Sequence, residues 1–267
     1  VQVIVWCFCI LASCQTPAEP EFTREISVAG LLQTFTSQQT IRVYYTTDRL
    51  TDPVPRESLF VTDARVTVSG PDGIVVFNYV QDSTDIHYPH KYVDHPEALQ
   101  MIPGAQYTLR VESDAGTVTG TTTIPEPVRI ESPVSGSTVH AGTPVLAAWS
   151  ETSQQAFIVN LLEPPLRYLV QSSQDTVVAR NISDYGLRTS RMEFSGQRFW
   201  YHLRQTPGPS HLELVESDRR YTIKVMALDR NARLHLFDGQ DICGIEGGYG
   251  YFGSAVADSV DIYVVEP

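Results

Sequence analysis

Cysteine is scarce in this chain of 267 residues, and three of its four cysteines, Cys7, Cys9 and Cys14, fall within the first fourteen positions. Once that segment is cleaved or modified, only Cys243 is left in the body, which excludes an intramolecular disulfide and a paired-cysteine zinc site there. Positive charge is also thin. The 19 Lys and Arg face 31 Asp and Glu, for a formal net charge of −12. No basic face is available for nucleic acid or for a polybasic hold on anionic lipid. Helical periodicity is missing as well: from Ala29 to Pro267 no fifteen-residue stretch repeats its apolar positions at the spacing of a helix face, which excludes a helical bundle. The catalytic patterns G-x-S-x-G and H-E-x-x-H do not occur.

The uncharged apolar run from Val3 to Ser13 is too short for a transmembrane helix, which needs about 20 residues, and has the length of a signal-peptide core. It ends in Leu11-Ala12-Ser13-Cys14, which resembles the bacterial lipobox at all four positions. That predicts a signal peptide over 1–13, acylation of the Cys14 thiol, and a polar, Pro-containing tether over 14–24. No Lys or Arg precedes Arg24 and the chain opens on Val1, which points to a truncated or alternative start.

What fills the body is alternation. Ile26-Ser-Val28, Ile41-Arg-Val43-Tyr-Tyr45 and Ala64-Arg-Val66-Thr-Val68 carry apolar residues at a period of two, the mark of a half-buried strand. Gly70-Pro-Asp-Gly73 turns the third of these into Ile74–Tyr79, and further turns at Pro103-Gly104 and Asp114-Ala-Gly116 bracket Tyr107–Val111 and Val118–Ile124. About seven strands in 100 residues predict a β-sandwich over 25–125. Ile124-Pro-Glu-Pro127 interrupts the ladder pattern, and a second set of strands follows, including Val145–Trp149, Ala156–Leu161, Arg198–Leu203, Tyr221–Ala227 and Ser259–Val265. Val145–Trp149 is similar to the immunoglobulin or fibronectin III strand whose Trp plugs the core. The expected fold is therefore all-β, with two tandem immunoglobulin/fibronectin III-like sandwiches, 25–125 and 126–267, after a lipoprotein signal peptide. Residues 163–196 read as long connections.

Few groupings suggest chemistry. His87, His90, Asp94 and His95 lie within nine residues and have the donor types for a divalent metal, as an exported hydrolase would use, but Pro89 and Pro96 mark the segment as a loop at a sandwich end. Gly248-Tyr-Gly250-Tyr-Phe-Gly253 formally satisfies G-x-G-x-x-G. Its bulky rings and the strand after it exclude a nucleotide fingerprint. The stretch from Cys243 to Ser254 reads instead as an irregular loop in which Tyr249, Tyr251 and Phe252 either cap the second core or face a ligand, Phe252 buried and Tyr249 partly exposed. Cys243, with His235 or His211 as base, reads as an inert small hydrophobe, and Asp82 with Asp85 and Asp238 with Asp241 read as solvated loops rather than calcium sites.

The lipobox, the Ile26-Ser-Val28-Ala-Gly30 opening, Pro103-Gly104-x-x-Tyr107-x-Leu109-x-Val111, the Thr-x-Ile124-Pro125 exit and the C-terminal Gly247-Gly-Tyr-Gly-Tyr-Phe-Gly253 together resemble the lipoproteins of the domain of unknown function 4249 family, found mostly in Bacteroidota-type bacteria. The resemblance implies an outer-membrane lipoprotein, often associated with TonB-dependent uptake receptors, without enzymatic activity or cofactor. It would be held to the membrane by its lipid, with Gln15 after the cysteine fitting outer-membrane sorting and either face of that membrane open to it. The expected role is a binding module for a peptide, a glycan or a partner receptor, a purely structural envelope protein being the alternative.

Overall fold

The computed structural model describes residues 22–47, 56–85, 88–140, 142–150, 156–162 and 220–265, together with short strands between 167 and 194. Cys14 and His87, and the strand expected at Arg198–Leu203, lie outside the described residues. The first strands are β1 (Ile26–Gln33), β2 (Thr40–Tyr45), β3 (Arg65–Gly70), β4 (Gly73–Gln81), β5 (His90–Val93), β6 (Gln106–Ser113) and β7 (Gly116–Thr123). The second group opens with β8 (Ile130–Ser132), β9 (Ser137–His140), β10 (Val145–Trp149) and β11 (Phe157–Leu162). It continues with β12 (Arg167–Val170), β13 (Ser173–Thr176), β14 (Asn181–Leu187), β15 (Arg191–Phe194) and β16 (Arg220–Leu228). After the helix α1 (Arg230–Leu236) come β17 (Ile242–Cys243), β18 (Ile245–Glu246) and β19 (Tyr249–Val265). The expected all-β architecture is observed.

Alternation explains how the first group closes on a core. In β1 the residues Ile26, Val28 and Leu32 are buried, in β2 Ile41 and Val43, and in β6 Tyr107, Leu109 and Val111. β4 makes the sheet turn its corner: residues 73–77 pair with β3, whereas 78–81 pair with β5 on the opposite sheet. One sheet runs β1-β2-β5-β4 and the other β4-β3-β6-β7-β18. Tyr107 ties the second sheet to its neighbouring loop, its hydroxyl donating to the Gln100 carbonyl (2.5 Å) and accepting from the Ile102 N–H (2.9 Å). In the second group β14-β11-β16-β19 forms one sheet and β15-β10-β8 another. Trp149 plugs this core at 2% exposure, edge-on to Phe157 (5.5 Å, 62°).

The stretch expected as an irregular loop, Cys243 to Ser254, is ordered into strands, and β19 already begins at Tyr249. Its first half pairs in parallel with β1, from Ser27↔Tyr249 to Gln33↔Ala255, and its second half pairs antiparallel with β16, from Leu228↔Ala255 to Arg220↔Tyr263. β18 joins β7 at the far edge of the first group. The first group is thus completed by residues from the end of the chain, across the expected Pro125/Glu126 boundary, and a single apolar cluster runs through both groups. The sequence pattern misses this because the glycines of 247–253 look like punctuation. They serve close approach instead: a Cβ on Gly250, whose φ is +96°, would sit 1.9 Å from the Val28 carbonyl oxygen.

Where β7, β16 and β19 meet, a polar chain replaces apolar packing. Thr122 Oγ1 lies 2.7 Å from Asp229 Oδ2 and 2.9 Å from Ser254 Oγ, which in turn lies 2.9 Å from the Thr123 carbonyl. Asp229 also caps α1, its Oδ1 accepting from the Ala232 N–H at 2.8 Å. The Thr122 hydroxyl is shared between Asp229 Oδ2 and Ser254 Oγ, and Ser254 donates to the Thr123 carbonyl. Burial raises the Asp229 carboxyl above its ordinary value, against the hydrogen bonds that it accepts.

Candidate functional site

The segment reads as a loop with donor types for a metal, and the three of its donors that are described, His90, Asp94 and His95, are not brought together. His90 opens β5 and spends its ring on aromatic neighbours, 4.2 Å from Phe60 and bonded through Nδ1 to the Tyr79 hydroxyl at 2.5 Å. Asp94 turns inward at 2% exposure, its Oδ1 accepting from the Gln39 N–H at 2.7 Å, and burial pushes its carboxyl up. His95 is exposed and its Nδ1 lies against the Pro96 carbonyl. Among the described residues no group of three or more His, Cys, Asp or Glu is placed to hold a metal. β5 ends at Val93, so His90 lies on the strand while Asp94 and His95 lie beyond it, and each takes a different partner.

The carboxylate pairs serve their own loops. Asp82 accepts from the Thr84 N–H and hydroxyl and pairs with Lys91 at 2.8 Å, which holds its carboxyl well below the usual range. Asp238 lies 3.8 Å from Arg233. The Cys243 thiol is buried, and desolvation together with Asp229, Asp241 and Asp238 pushes it up, the opposite of what an activated nucleophile needs. A polar cleft of about 250 Å³ beside α1 is lined by Gln106, Thr121–Thr123 and Asp229–Asn231. The groups lining it bond to the fold: Asn231 Nδ2 donates to the Thr121 and Phe252 carbonyls.

The aromatic segment gives a different picture. Phe252 is fully buried, but it lies in the first core between Gly30 and Gly120 rather than on the second, so it is not a ligand contact. Tyr249 is 41% exposed and Tyr251 is half-buried. Register shows what these two belong to. Ala29 on β1 pairs with Arg42 on β2 and with Tyr251 on β19, and Ser27 pairs with Tyr44 and Tyr249. Paired residues share a face, here the one opposite Val28, Ile41 and Phe252. The outer face of the sheet is therefore a trough. Its floor is the two small, partly accessible residues Ser27 and Ala29, and its walls are Arg42 and Tyr44 on one side and Tyr249 and Tyr251 on the other. Two strand spacings set the walls about 10 Å apart at the backbone.

One end of the trough is closed. Leu31, the next floor position, packs with Phe35, Phe237 and Ala232 of α1 in a small second cluster, and Gly253 is where α1 comes closest, a Cβ there falling 2.9 Å from that of Ala232. His235 of α1 stacks on Tyr251 (4.2 Å, 17°) and so fixes that wall, and burial raises the Tyr251 phenol. On the other wall the Tyr88 ring covers the Arg42 guanidinium at 4.5 Å. The sequence pattern puts Arg42, Tyr44 and Ala29 on outward faces but does not say which strands are neighbours. Arg42, Tyr88, Ser27, Ala29 and His235 were accordingly not legible as one site.

Comparison with known proteins gives a family. The family profile described as a domain of unknown function (DUF4249) matches residues 15–232. No curated protein matches the sequence. Among solved structures, the chain is similar to the Clostridium thermocellum CbhA fibronectin(III)-like modules, at 14% identity and a TM-score of 0.27, over 90% of this chain and 94% of that one. It is also similar to titin domains A168–A170 (11% identity, TM-score 0.21, 91% and 67% of the two chains) and to DIP-gamma IG1+IG2 (11%, 0.21, 91% and 98%). At such values the fold assignment rests on the strand pairing described above.

Proposed function

The chain belongs to the DUF4249 family, and on that premise we propose that it is a non-enzymatic binding module of the outer membrane whose contact surface is the trough over β1. The trough carries this reading: small floor, aromatic walls, one cation and one blind end are the arrangement of a surface that orients a ligand by side chains. The groups that the sequence offers for catalysis are, where described, engaged in holding the fold.

In this reading Cys14 carries the lipid and 14–24 tethers the sandwiches to the membrane, where the module serves an outer-membrane receptor of the TonB-dependent kind as an accessory. No helix among the described residues is long and apolar enough to cross a bilayer. Two measurements separate the parts of the proposal. Cys14→Ser abolishes lipid labelling and moves the protein to the soluble fraction; retention of both label and membrane association refutes the anchor. Ser27→Trp fills the floor and Tyr249→Ala strips a wall. Each leaves the melting temperature near that of the parent and removes the partners that the parent retains from solubilised envelopes. Unchanged retention by both variants refutes the trough as the contact surface.

A further inference from the structure

Apart from the trough, the first group has an open sheet edge, and we infer that this edge, Gly73–Phe77 of β4, pairs with the same edge of a second copy of the chain. β4 changes sheets after Phe77, so β5 lies beside residues 78–81 only. Residues 73–77 have β3 on one side and, among the described residues, no strand on the other. Register decides which groups face that open side. The two-residue turn Pro71-Asp72 closes on the hydrogen-bonded pair Gly70↔Gly73, and bonded pairs alternate along an antiparallel ladder. Val75 and Phe77 accordingly bond to β3, while the N–H and C=O of Ile74 and Val76 point away from it. The Asp82 N–H, which donates to the Pro89 carbonyl at 2.7 Å on the β5 side, has the same parity. The side chains of Ile74 and Val76 are 72% and 51% exposed. Open edges are normally protected by charge, proline or a bulge. Gly73–Gln81 contains no charged residue and no proline, and its pairing with β3 runs without a shift.

A second copy supplies each group that this edge lacks. Antiparallel pairing about a two-fold axis at Val75 sets Ile74 opposite Val76 of the partner subunit and Val76 opposite the partner's Ile74. Each outward N–H then meets a carbonyl, and the four β-branched side chains form two cross-strand pairs on the outer face. The turn at one end and the change of sheet at the other limit the edge to five residues, and under this symmetry the two stretches coincide end to end. Charge does not oppose the approach, although each copy carries −12. The two Asp72 side chains fall at opposite ends, about 20 Å apart at about 3.4 Å per residue, beyond the screening length of about 8 Å. A five-residue edge buries less than the roughly 1,600 Å² of a standard interface, so the dimer is weak and reversible.

The test is sedimentation of the full chain in mild detergent from about 5 to about 500 µM, the range of a weak interface. Parent and variants share the apolar run Val3–Ser13, so association through that run is common to all of them. The parent passes reversibly from monomer to dimer. Val76→Lys weakens the dimer by about tenfold or more, and so does Val76→Pro, which removes an outward N–H but no bond to β3. Val80→Lys, on the same face but beside β5, leaves it unchanged. In amide hydrogen exchange the Ile74 and Val76 N–H groups slow as concentration rises, whereas those of Val75 and Phe77 do not change. A monomer at the highest concentration, association of both Val76 variants equal to that of the parent, or equal weakening by Val80→Lys overturns the inference, as does exchange at Ile74 and Val76 that is independent of concentration. Thermal melts check that the variants are folded, and Val76→Lys decides if Val76→Pro melts well below the parent.

Discussion

Truncating Phe252 to alanine tests the most consequential packing in the molecule. The ring sits on β19 but lies between strands of the first group: a Cβ on Gly30 would approach its Cδ2 at 3.0 Å, and one on Gly120 would approach its Cβ at 3.1 Å. It is 0% exposed. A phenylalanine buries roughly 150–250 Å², which at about 25 cal/mol per Å² corresponds to about 4–6 kcal/mol for the whole side chain. Measured Phe→Ala losses in cores are about 3–5 kcal/mol, depending on how far the site collapses. Collapse is poor here. The adjacent positions are glycines with no side chain to swing in, and ladders on both sides hold β1 and β7. The expected loss is therefore in the upper half of that range, about 4–5 kcal/mol. For a cooperative unit of 150–250 residues that lowers the melting temperature by roughly 8–20 °C. Calorimetry reads both the shift and the number of transitions, and one transition is expected because β19 is continuous through both groups. A shift under 2 °C refutes the packing, and an early separate transition confined to one half refutes the coupling.

The Asp229 carboxyl holds its proton more tightly in the fold than in the unfolded chain, so its contribution is complete below the unfolded value of about 4 and declines as pH rises toward the raised folded value. Asp229→Asn, which keeps a capping side chain, is expected within about 1 kcal/mol of the parent at neutral pH and flatter between pH 4 and 8 in denaturant midpoints; stability of the parent that rises through this window through Asp229 contradicts the upward shift of its carboxyl. A chain ending at Pro125 lacks the strand that pairs with β1 and is expected to show no cooperative unfolding, and adding a peptide spanning 245–257 is expected to restore it. Cooperative unfolding of the 22–125 segment alone refutes the dependence.

How much of this was legible in the sequence depended on the range of the interaction involved. Local alternation identified β1, β2, β6, β10 and β16, because a strand with one buried face must repeat every two residues. Trp149 was legible as a core plug and Phe252 as buried, since large rings seldom find another place. The capped helix at 230–236 escaped notice because seven residues are too few to establish a period. What could not be read was register. Ser27 and Tyr249 are set beside one another by a ladder joining positions more than 200 residues apart, and nothing in a local pattern encodes that. His90, Asp94 and His95, close in sequence, diverge because β5 ends between them.

The parallel pairing of β1 with β19 has a mechanical consequence. A load entering at Phe22 pulls β1 along its own axis, and seven register pairs with β19 and five with β2 lie across that axis. All of them resist together in shear instead of opening one at a time from an end, so the first described strand is held along its whole length. Because β19 also pairs with β16, force on β1 is handed to a strand that both groups share.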